Sequence, residues 1–304
     1  MRRIMPPTTA KPSRPSILLM VVTVLVAFSP TAAAQDLANH QLCIIRPDGT
    51  GFKQITDQPD LRFGSPSISP DGRQVAADCT RARLTVQDTH IVVMDVDGDN
   101  IKHLATGAMP SWSPGGALLA YHAYSPTPAI MVMNADGTGR EEVANHWGSP
   151  RWTPGGDKLI SLFTDGTLRL LDLRTGKQTA LLRGARGPIY PGFGISRDGA
   201  RLCYCHQSSD GLGVVNLDKN WQVVGAKLYL RNSTCRFSSF SPDGSQVAFS
   251  LQSNLFEKPK LHILDLEGEG SARPIDGQPA DSANVNPQWS PDGEWIVFSS
   301  DAPE

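Results

Sequence analysis

The amino-acid sequence predicts an all-β fold, a six-bladed β-propeller of four-stranded antiparallel blades. A segment like Ser-Pro-Asp-Gly recurs six times at nearly constant spacing, an alternating apolar segment follows each copy, and a second kind of hairpin lies between copies. Four strands in each repeat of about 40 to 50 residues are typical of propeller blades. The 304 residues are 39% hydrophobic and 19% charged, which excludes a disordered chain or a coiled coil.

Each recurring segment is predicted to be a turn between two strands. Proline fixes φ at the second turn position, Asp can bond its own backbone, and Gly tolerates positive φ. The Ser or Thr residues of successive copies stand 44, 40, 43, 45 and 49 residues apart. The copies lie at 68–72, 112–116, 152–156, 195–199, 240–244 and 289–293. Trp112, Trp152 and Trp289 occupy equivalent positions, so we expect them to pack between neighbouring blades rather than bind ligand.

The two ends of the chain predict how the ring closes. The second kind of hairpin opens the chain at 41–55, and the first kind ends it at 287–299. Neither half-blade can bury its apolar face alone, whereas together they form one four-stranded blade that leaves no exposed sheet edge. We therefore predict a single propeller domain at residues 35–304, with the ring closed by pairing of the N-terminal and C-terminal half-blades.

Residues 1–34 have the parts of a secretory signal peptide. Four basic and no acidic residues precede a 12-residue apolar core at 17–28, and Ala32, Ala33 and Ala34 follow. Such an arrangement predicts cleavage after Ala34. The mature chain is then expected in the periplasm or outside the cell. The core is short for a bilayer of about 30 Å, so no stable membrane insertion is expected after cleavage. An uncleaved anchor is the alternative.

Charge and cysteine content narrow the function classes. Lys and Arg number 28 against 30 Asp and Glu, so nucleic acid is not an expected partner. Removing residues 1–34 leaves a formal charge of −6. The five cysteines are too sparse for a disulfide scaffold and have no Cys-x-x-Cys spacing, and we expect buried thiols.

With Trp before Ser-Pro-Asp-Gly and an alternating strand after it, the repeat over about residues 40–300 resembles that of TolB-like six-bladed propellers. TolB belongs to the Tol-Pal cell-envelope system and carries an additional α/β domain before its first blade, for which few residues are present here. The resemblance implies a binding or scaffolding module of the bacterial cell envelope. Related propellers accompany prolyl-oligopeptidase-like peptidases, but the sequence contains no Gly-x-Ser-x-Gly.

The predicted ligand site is one mouth of the central channel. Loops between blades and loops that join each middle strand pair converge there. The candidate ligand-binding residues are Arg62, His122, Tyr124, His146, Trp147, Arg186, Tyr190, His206 and Arg231. Arginine forks above aromatic faces would suit an envelope protein, an acidic peptide or a glycan with acid groups. The competing interpretation is that these are solvated loop residues.

We predict no catalytic residue, no metal site and no cofactor, and we expect a monomer. The enzyme alternative is a propeller acting on carbohydrate, a uronic-acid lyase or hydrolase, through His and Arg residues at the mouth. His122 and His206 follow second strands of different blades, and two or three imidazoles could bind a transition metal. The acidic segment at 95–100 lacks features of a calcium loop and is predicted to be a turn.

Overall fold

A computed structural model describes residues 39–81, 85–183, 189–206, 211–254, 256–267 and 270–302. It confirms the six-bladed β-propeller of four-stranded antiparallel blades. The predicted signal segment at 1–34 lies outside the described residues. Within these ranges, no helix is long and apolar enough to cross a membrane.

The described chain begins with β1 (Gln41–Ile45) and β2 (Lys53–Gln54), and five blades of consecutive strands follow. Blade 1 contains β3 (Leu61–Ile68), β4 (Gln74–Arg81), β5 (His90–Asp95) and β6 (Lys102–Thr106), with a short 3-10 helix at Val86–Asp88. Blade 2 contains β7 (Ala108–Trp112), β8 (Leu118–Ala123), β9 (Ala129–Asn134) and β10 (Glu141–Ala144). Blade 3 contains β11 (Pro150–Trp152), β12 (Lys158–Leu162), β13 (Thr167–Asp172) and β14 (Gln178–Arg183).

Blade 4 contains β15 (Gly194–Ile195), β16 (Arg201–Cys205), β17 (Leu212–Leu217) and β18 (Val223–Tyr229). Blade 5 contains β19 (Thr234–Phe240), β20 (Gln246–Gln252), β21 (Lys260–Asp265) and β22 (Ala272–Pro274). The closing blade 6 combines β23 (Asn284–Trp289) and β24 (Ile296–Ser300) with β1 and β2. In every blade the first of the four strands faces the central channel.

Blade 6 closes the ring as the sequence predicts. Its strand order is β2-β1-β24-β23, so one half comes from each end of the described chain. The central pair is antiparallel, with Gln41 opposite Ser300 and Ile45 opposite Ile296. Backbone hydrogen bonds of this ladder satisfy two strand edges that would otherwise be exposed.

The recurring turn has the predicted chemistry. In blade 1, the Ser69 hydroxyl donates to Asp71 Oδ1 at 2.6 Å and accepts from the backbone N–H of Gln74 at 2.9 Å. The hydrogen bond from Ser69 lowers the pKa of the Asp71 carboxyl. Gly72 has φ of 74°, a conformation that favours glycine. Each turn therefore fixes the first strand of a blade relative to the second.

The core lies between neighbouring blades rather than within one of them. The Trp152 side chain, 5% exposed, packs between blades 2 and 3 against Ile130 and Leu159. Its indole N–H donates to the Ser111 carbonyl of blade 2 at 3.0 Å. Trp112 and Trp289 fill the corresponding positions between blades 1 and 2 and between blades 5 and 6. The turn tryptophans thus hold neighbouring blades together by packing between them.

All five cysteines are buried as free thiols. Cys203, Cys205 and Cys235 belong to one apolar cluster between blades 4 and 5. Burial raises the pKa of the Cys203 thiol to about 12, so this side chain packs as a small apolar group.

Candidate functional site

The central channel is narrow and lined by an equivalent residue from each blade, in the inner strand or just before it. The ring consists of Ser65, Met109, Ser149, Gly192, Phe237 and Asn286. Ser65, Met109, Phe237 and Asn286 have φ between 44° and 59°, and the inner strand shifts register at each of them. The channel cavity has a volume of about 20 Å³. It has room for about one water molecule, so a larger ligand can dock only at a mouth.

Loop direction distinguishes the two ends of the channel. The Ser-Pro-Asp-Gly turns and the hairpins between third and fourth strands lie at one end. At the other end, which we call the mouth, lie the loops that join second to third strands and the loops that join one blade to the next. His122, Tyr124, His146 and Trp147 all lie at the mouth.

Asp78 of blade 1 and Arg151 of blade 3 lie close enough for each charge to affect the other's pKa. Asp78 at the mouth end of β4 is 9% exposed, and its Oδ2 accepts the backbone N–H of Met109 at 2.8 Å. Burial raises the pKa of Asp78, although hydrogen bonds from Met109 and Ser65 and the Arg151 charge oppose this. Burial also lowers the pKa of Arg151 to about 10, and Asp78 opposes that shift.

Beside this pair lies a cluster of rings from blades 2 and 3, which we call the histidine cluster. The His122 ring meets the Tyr124 ring edge-on at 4.5 Å between centroids and the Trp147 ring at 5.6 Å. The neighbouring His146 ring stacks on Phe163 at 3.7 Å. Nδ1 of His146 lies 2.8 Å from the Trp147 carbonyl oxygen, so this nitrogen is the donor. The fold therefore brings four of the predicted site residues together.

Both imidazoles of the histidine cluster are held neutral near pH 7. Burial lowers the pKa of His122 to about 4; the His146 charge adds to this, and a contact with the Ala129 backbone opposes it. Neither ring nitrogen of His122 makes a hydrogen bond of standard geometry with a described residue. Burial also lowers the pKa of His146, against the hydrogen bond to Trp147. Burial, followed by the Asp78 charge, raises the pKa of Tyr124, which therefore keeps its proton.

Arginine side chains stack on aromatic rings at the mouth. The Arg169 guanidinium lies 4.0 Å from the Phe163 ring centroid and 3.1 Å from an Asp165 carboxylate oxygen. Across blades 4 and 5, Arg236 lies 5.4 Å from the ring centroid of Tyr190, another predicted site residue. Stacking fixes the plane of a guanidinium, so the donors at its edge point in defined directions.

The remaining candidates are dispersed around the mouth. His206 is buried beside Tyr204, with ring centroids 5.2 Å apart, and its strand position pairs with Ile189. Arg62 is partly buried on β3, and Arg231 is exposed in the loop between β18 and β19. Arg186 lies outside the described residues. Within the described ranges, no three His, Cys, Asp or Glu side chains are placed to hold a metal ion.

Asp78, Arg151, Phe163, Arg169 and Arg236 were not among the sequence-based candidates. Two of them carried a detectable signal. Asp78 and His122 occupy the same repeat position, where blades 3, 5 and 6 have Leu162, Ser250 and Ser299. Arg151 stands where blades 1, 2 and 5 have Ser67, Ser111 and Ser239. An ionisable residue at a repeat position that most other blades fill with small or apolar residues would have marked both.

The fold and the mouth define the class of this protein, a six-bladed β-propeller with a polar and aromatic channel mouth. It is similar to a protein assigned as TolB from Agrobacterium tumefaciens, with a TM-score of 0.67 and 18% identity over 88% of this chain and 99% of that one. It is also similar to TolB from Acinetobacter baumannii, with a TM-score of 0.59 and 18% identity over 87% of this chain and 64% of that one. These likenesses confirm the TolB-like propeller fold.

Two further comparisons cover less of the chain. Oligogalacturonate lyase in complex with manganese aligns with a TM-score of 0.51 and 16% identity over 74% of this chain and 71% of that chain. An uncharacterized protein of Agrobacterium fabrum is 25% identical over 154 residues, so the matched part of the chain spans about half the length of that curated relative. No protein-family model matches the chain.

Proposed function

We propose that this protein is exported and serves as a non-enzymatic binding module of the cell envelope. Its ligand would dock at the mouth, over the histidine cluster and the stacked arginines, and would be a protein segment, an acidic peptide or a glycan with acid groups. The observation that carries the proposal is the pairing of guanidinium groups with aromatic rings at the mouth, at Arg169 on Phe163 and at Arg236 on Tyr190. Oriented N–H donors of this kind recognise carboxylates.

Two lines of support concern location and chemistry. The signal-like segment at 1–34 and the likeness to TolB propellers favour the envelope. At neutral pH His122 and His146 carry no charge, so selectivity for acids would depend on the arginines. Arg62 and Arg231 would contribute charge around the rim.

Binding of defined acidic probes tests the proposal. A fluorescent octaglutamate peptide and a labelled trigalacturonate are titrated by anisotropy at low and high salt. Replacement of Arg169 and Arg236 together by Ala should weaken binding about tenfold or more, as expected for the loss of charge-assisted hydrogen bonds. The matched control replaces Lys102 and Lys177 at the opposite end of the ring, where both are exposed, and should change binding less than twofold. Equal losses in both double variants would mean nonspecific electrostatics and would refute the mouth as the site.

The alternative function is a carbohydrate enzyme. It is favoured by the likeness to oligogalacturonate lyase and by the histidines at the mouth. Mass spectrometry of metals in the purified protein, with oligogalacturonate turnover followed by ultraviolet absorbance, separates the two proposals. Stoichiometric transition metal together with turnover that His122→Phe abolishes would favour the enzyme over the binding module.

A further inference from the structure

A second cavity lies away from the channel, at the outer edge of the ring where blade 6 meets blade 5. In blades 1 to 5 the second and third strands are consecutive in the chain, whereas in blade 6 these strands are β24 and β1, from opposite ends of the described chain. The cavity, which we call the end-blade cavity, opens beside this junction with a volume of about 660 Å³. Ligand sites typically measure about 300–1,000 Å³.

The first wall of the end-blade cavity is held rigid by Gln41. This wall is the chain segment around β2, including Thr56 and Asp57. The Gln41 amide donates to the carbonyls of Gln58 and Leu61 at 3.1 and 2.9 Å. Its Oε1 accepts the Thr56 hydroxyl at 2.8 Å, while that hydroxyl accepts the backbone N–H of Leu42. These bonds fix the wall before any ligand arrives.

The second wall is the loop at 276–283 between blades 5 and 6, and it is held from behind. The Lys260 ammonium donates to the carbonyls of Pro279 and Ser282 at 2.7 and 2.6 Å. The Gln278 side chain binds both backbone groups of Leu261 at 2.8 and 2.9 Å. Asp301 accepts the backbone N–H of Ala283 at 2.6 Å. An irregular loop tied at so many points is preorganised, which reduces the entropy cost of binding.

One polar group at the cavity lacks a partner. The Ser282 side chain lines the cavity, is 1% exposed, and its hydroxyl has no hydrogen-bond partner among the described residues. An unpaired buried hydroxyl destabilises the fold, because it has lost its hydrogen bonds to water without gaining others. A ligand atom at hydrogen-bond distance would remove this cost, so the hydroxyl points to an occupant with a polar function.

The charges around the cavity indicate which ligand it would take. Asp57 and Asp281 line it and are exposed, whereas no Lys or Arg side chain does so in the described part of the chain. The nearby Lys260 ammonium is already bonded to loop carbonyls. Phe52, Ile55 and Pro279 supply apolar surface. The cavity therefore combines an apolar floor, two carboxylates at its rim and one hydroxyl.

We propose that the end-blade cavity is a binding site for a small organic cation, a primary amine carried on an apolar body. The ammonium donates its three N–H groups to Asp57, Asp281 and the Ser282 hydroxyl, and the apolar body packs on Phe52 and Pro279. This site lies at the same end of the ring as the mouth loops but at the outer edge of blades 5 and 6, apart from the histidine cluster of blades 2 and 3. It stands independently of the function proposed for that cluster and the stacked arginines. The stacked arginines would select acids, and the end-blade cavity would select amines.

Three naphthalene probes of matched size test this proposal by fluorescence anisotropy with the purified full-length protein. They are 2-(1-naphthyl)ethylamine, 2-(1-naphthyl)ethanol and 1-naphthaleneacetate, which differ in charge. The amine should bind at least about tenfold more tightly than the other two. Asp57→Asn with Asp281→Asn should remove this preference, and Ser282→Ala should weaken binding of the amine severalfold. The control, Asp97→Asn with Asp136→Asn, changes two exposed turn carboxylates at the opposite end of the ring and should leave binding within twofold.

Each contrary result has a defined meaning. Equal binding of all three probes would show an unselective apolar cleft and overturn the proposal, and so would equal losses in the two Asp variants. Ser282→Ala also has a readout in the absence of ligand. Removing an unpaired buried hydroxyl should leave the urea midpoint unchanged or raise it. A clear fall would show that the hydroxyl serves the fold and is not reserved for a ligand.

Discussion

His122 should make the stability of this propeller depend on pH between about 6.5 and 4. The ring is fully buried between Tyr124 and Trp147, and burial lowers its pKa to about 4 in the folded protein. An unfolded histidine has a pKa of about 6.5. Between these values the unfolded chain binds a proton that the folded chain does not, so stability is lost as the pH falls.

The size of this effect follows from the two pKa values. A shift of about 2.5 units corresponds to about 3 kcal/mol once both states are protonated. Most of it appears before pH 4, because the unfolded histidine titrates first. About 2 kcal/mol should be lost between pH 7.5 and pH 5. That is a large fraction of the total stability of a typical domain, about 5–15 kcal/mol.

Equilibrium urea unfolding at pH 7.5 and pH 5 measures this loss for the wild type and for His122→Phe. Phenylalanine retains a flat ring against Tyr124 and Trp147 and cannot bind a proton. The variant should therefore lose about 2 kcal/mol less than the wild type over this interval. His103→Gln, at an exposed histidine, is the matched control and should follow the wild type. Identical losses in the wild type and His122→Phe would refute the argument that His122 is buried in its neutral form.

Three further predictions concern the scaffold and its processing. Trp152→Ala should lower the free energy of unfolding by about 3–5 kcal/mol, because the indole fills the space between blades 2 and 3; near-wild-type stability by urea titration would contradict its role between blades. Deleting residues 284–304 removes β23 and β24 and leaves β1 without its partner, so the product should aggregate or elute as an oligomer; a soluble, equally stable monomer would contradict ring closure by this pairing. N-terminal sequencing of protein from the periplasm or medium should begin at Gln35, whereas an intact N-terminus on membrane-bound protein would indicate the uncleaved anchor.

The fold could be predicted because its information is local and repeated. Six similar turns indicate where strands end, and the alternation of apolar and polar residues indicates which face of a strand is buried. Blade 4 shows that the pattern tolerates a departure, since Arg197 replaces the usual proline. Its turn still forms, with the Ser196 hydroxyl 2.6 Å from Asp198 and Gly199 at φ of 72°. Serine, aspartate and glycine are therefore sufficient for this turn, and proline is an addition.

The site could be predicted only in part from the sequence, because contacts between blades join residues that are far apart in the chain. Sequence analysis selected His122, Tyr124, His146 and Trp147 from their loops, and the structure brings them together. It did not predict that Asp78 and Arg151, which are 73 positions apart in the sequence, interact electrostatically. No pattern within either blade reports that pairing. The register shifts of the inner strands were not predicted either, because they depend on how closely six strands approach one axis.

Symmetry explains why departures from the repeat identify the site better than the repeat itself. A ring places the same repeat position of every blade at the same height and distance from the axis. An ionisable residue at an inner position is therefore close to its equivalents in adjacent blades, however far apart they are in sequence. Asp78 and His122 hold the same position in blades 1 and 2, and Arg151 departs from the repeat in blade 3. The charge of Asp78 acts on Arg151 and on Tyr124, and His146 acts on His122. Blades 1 to 3 thus form one electrostatically connected sector of the mouth, whereas Leu162 and Cys205 keep the corresponding positions of blades 3 and 4 apolar.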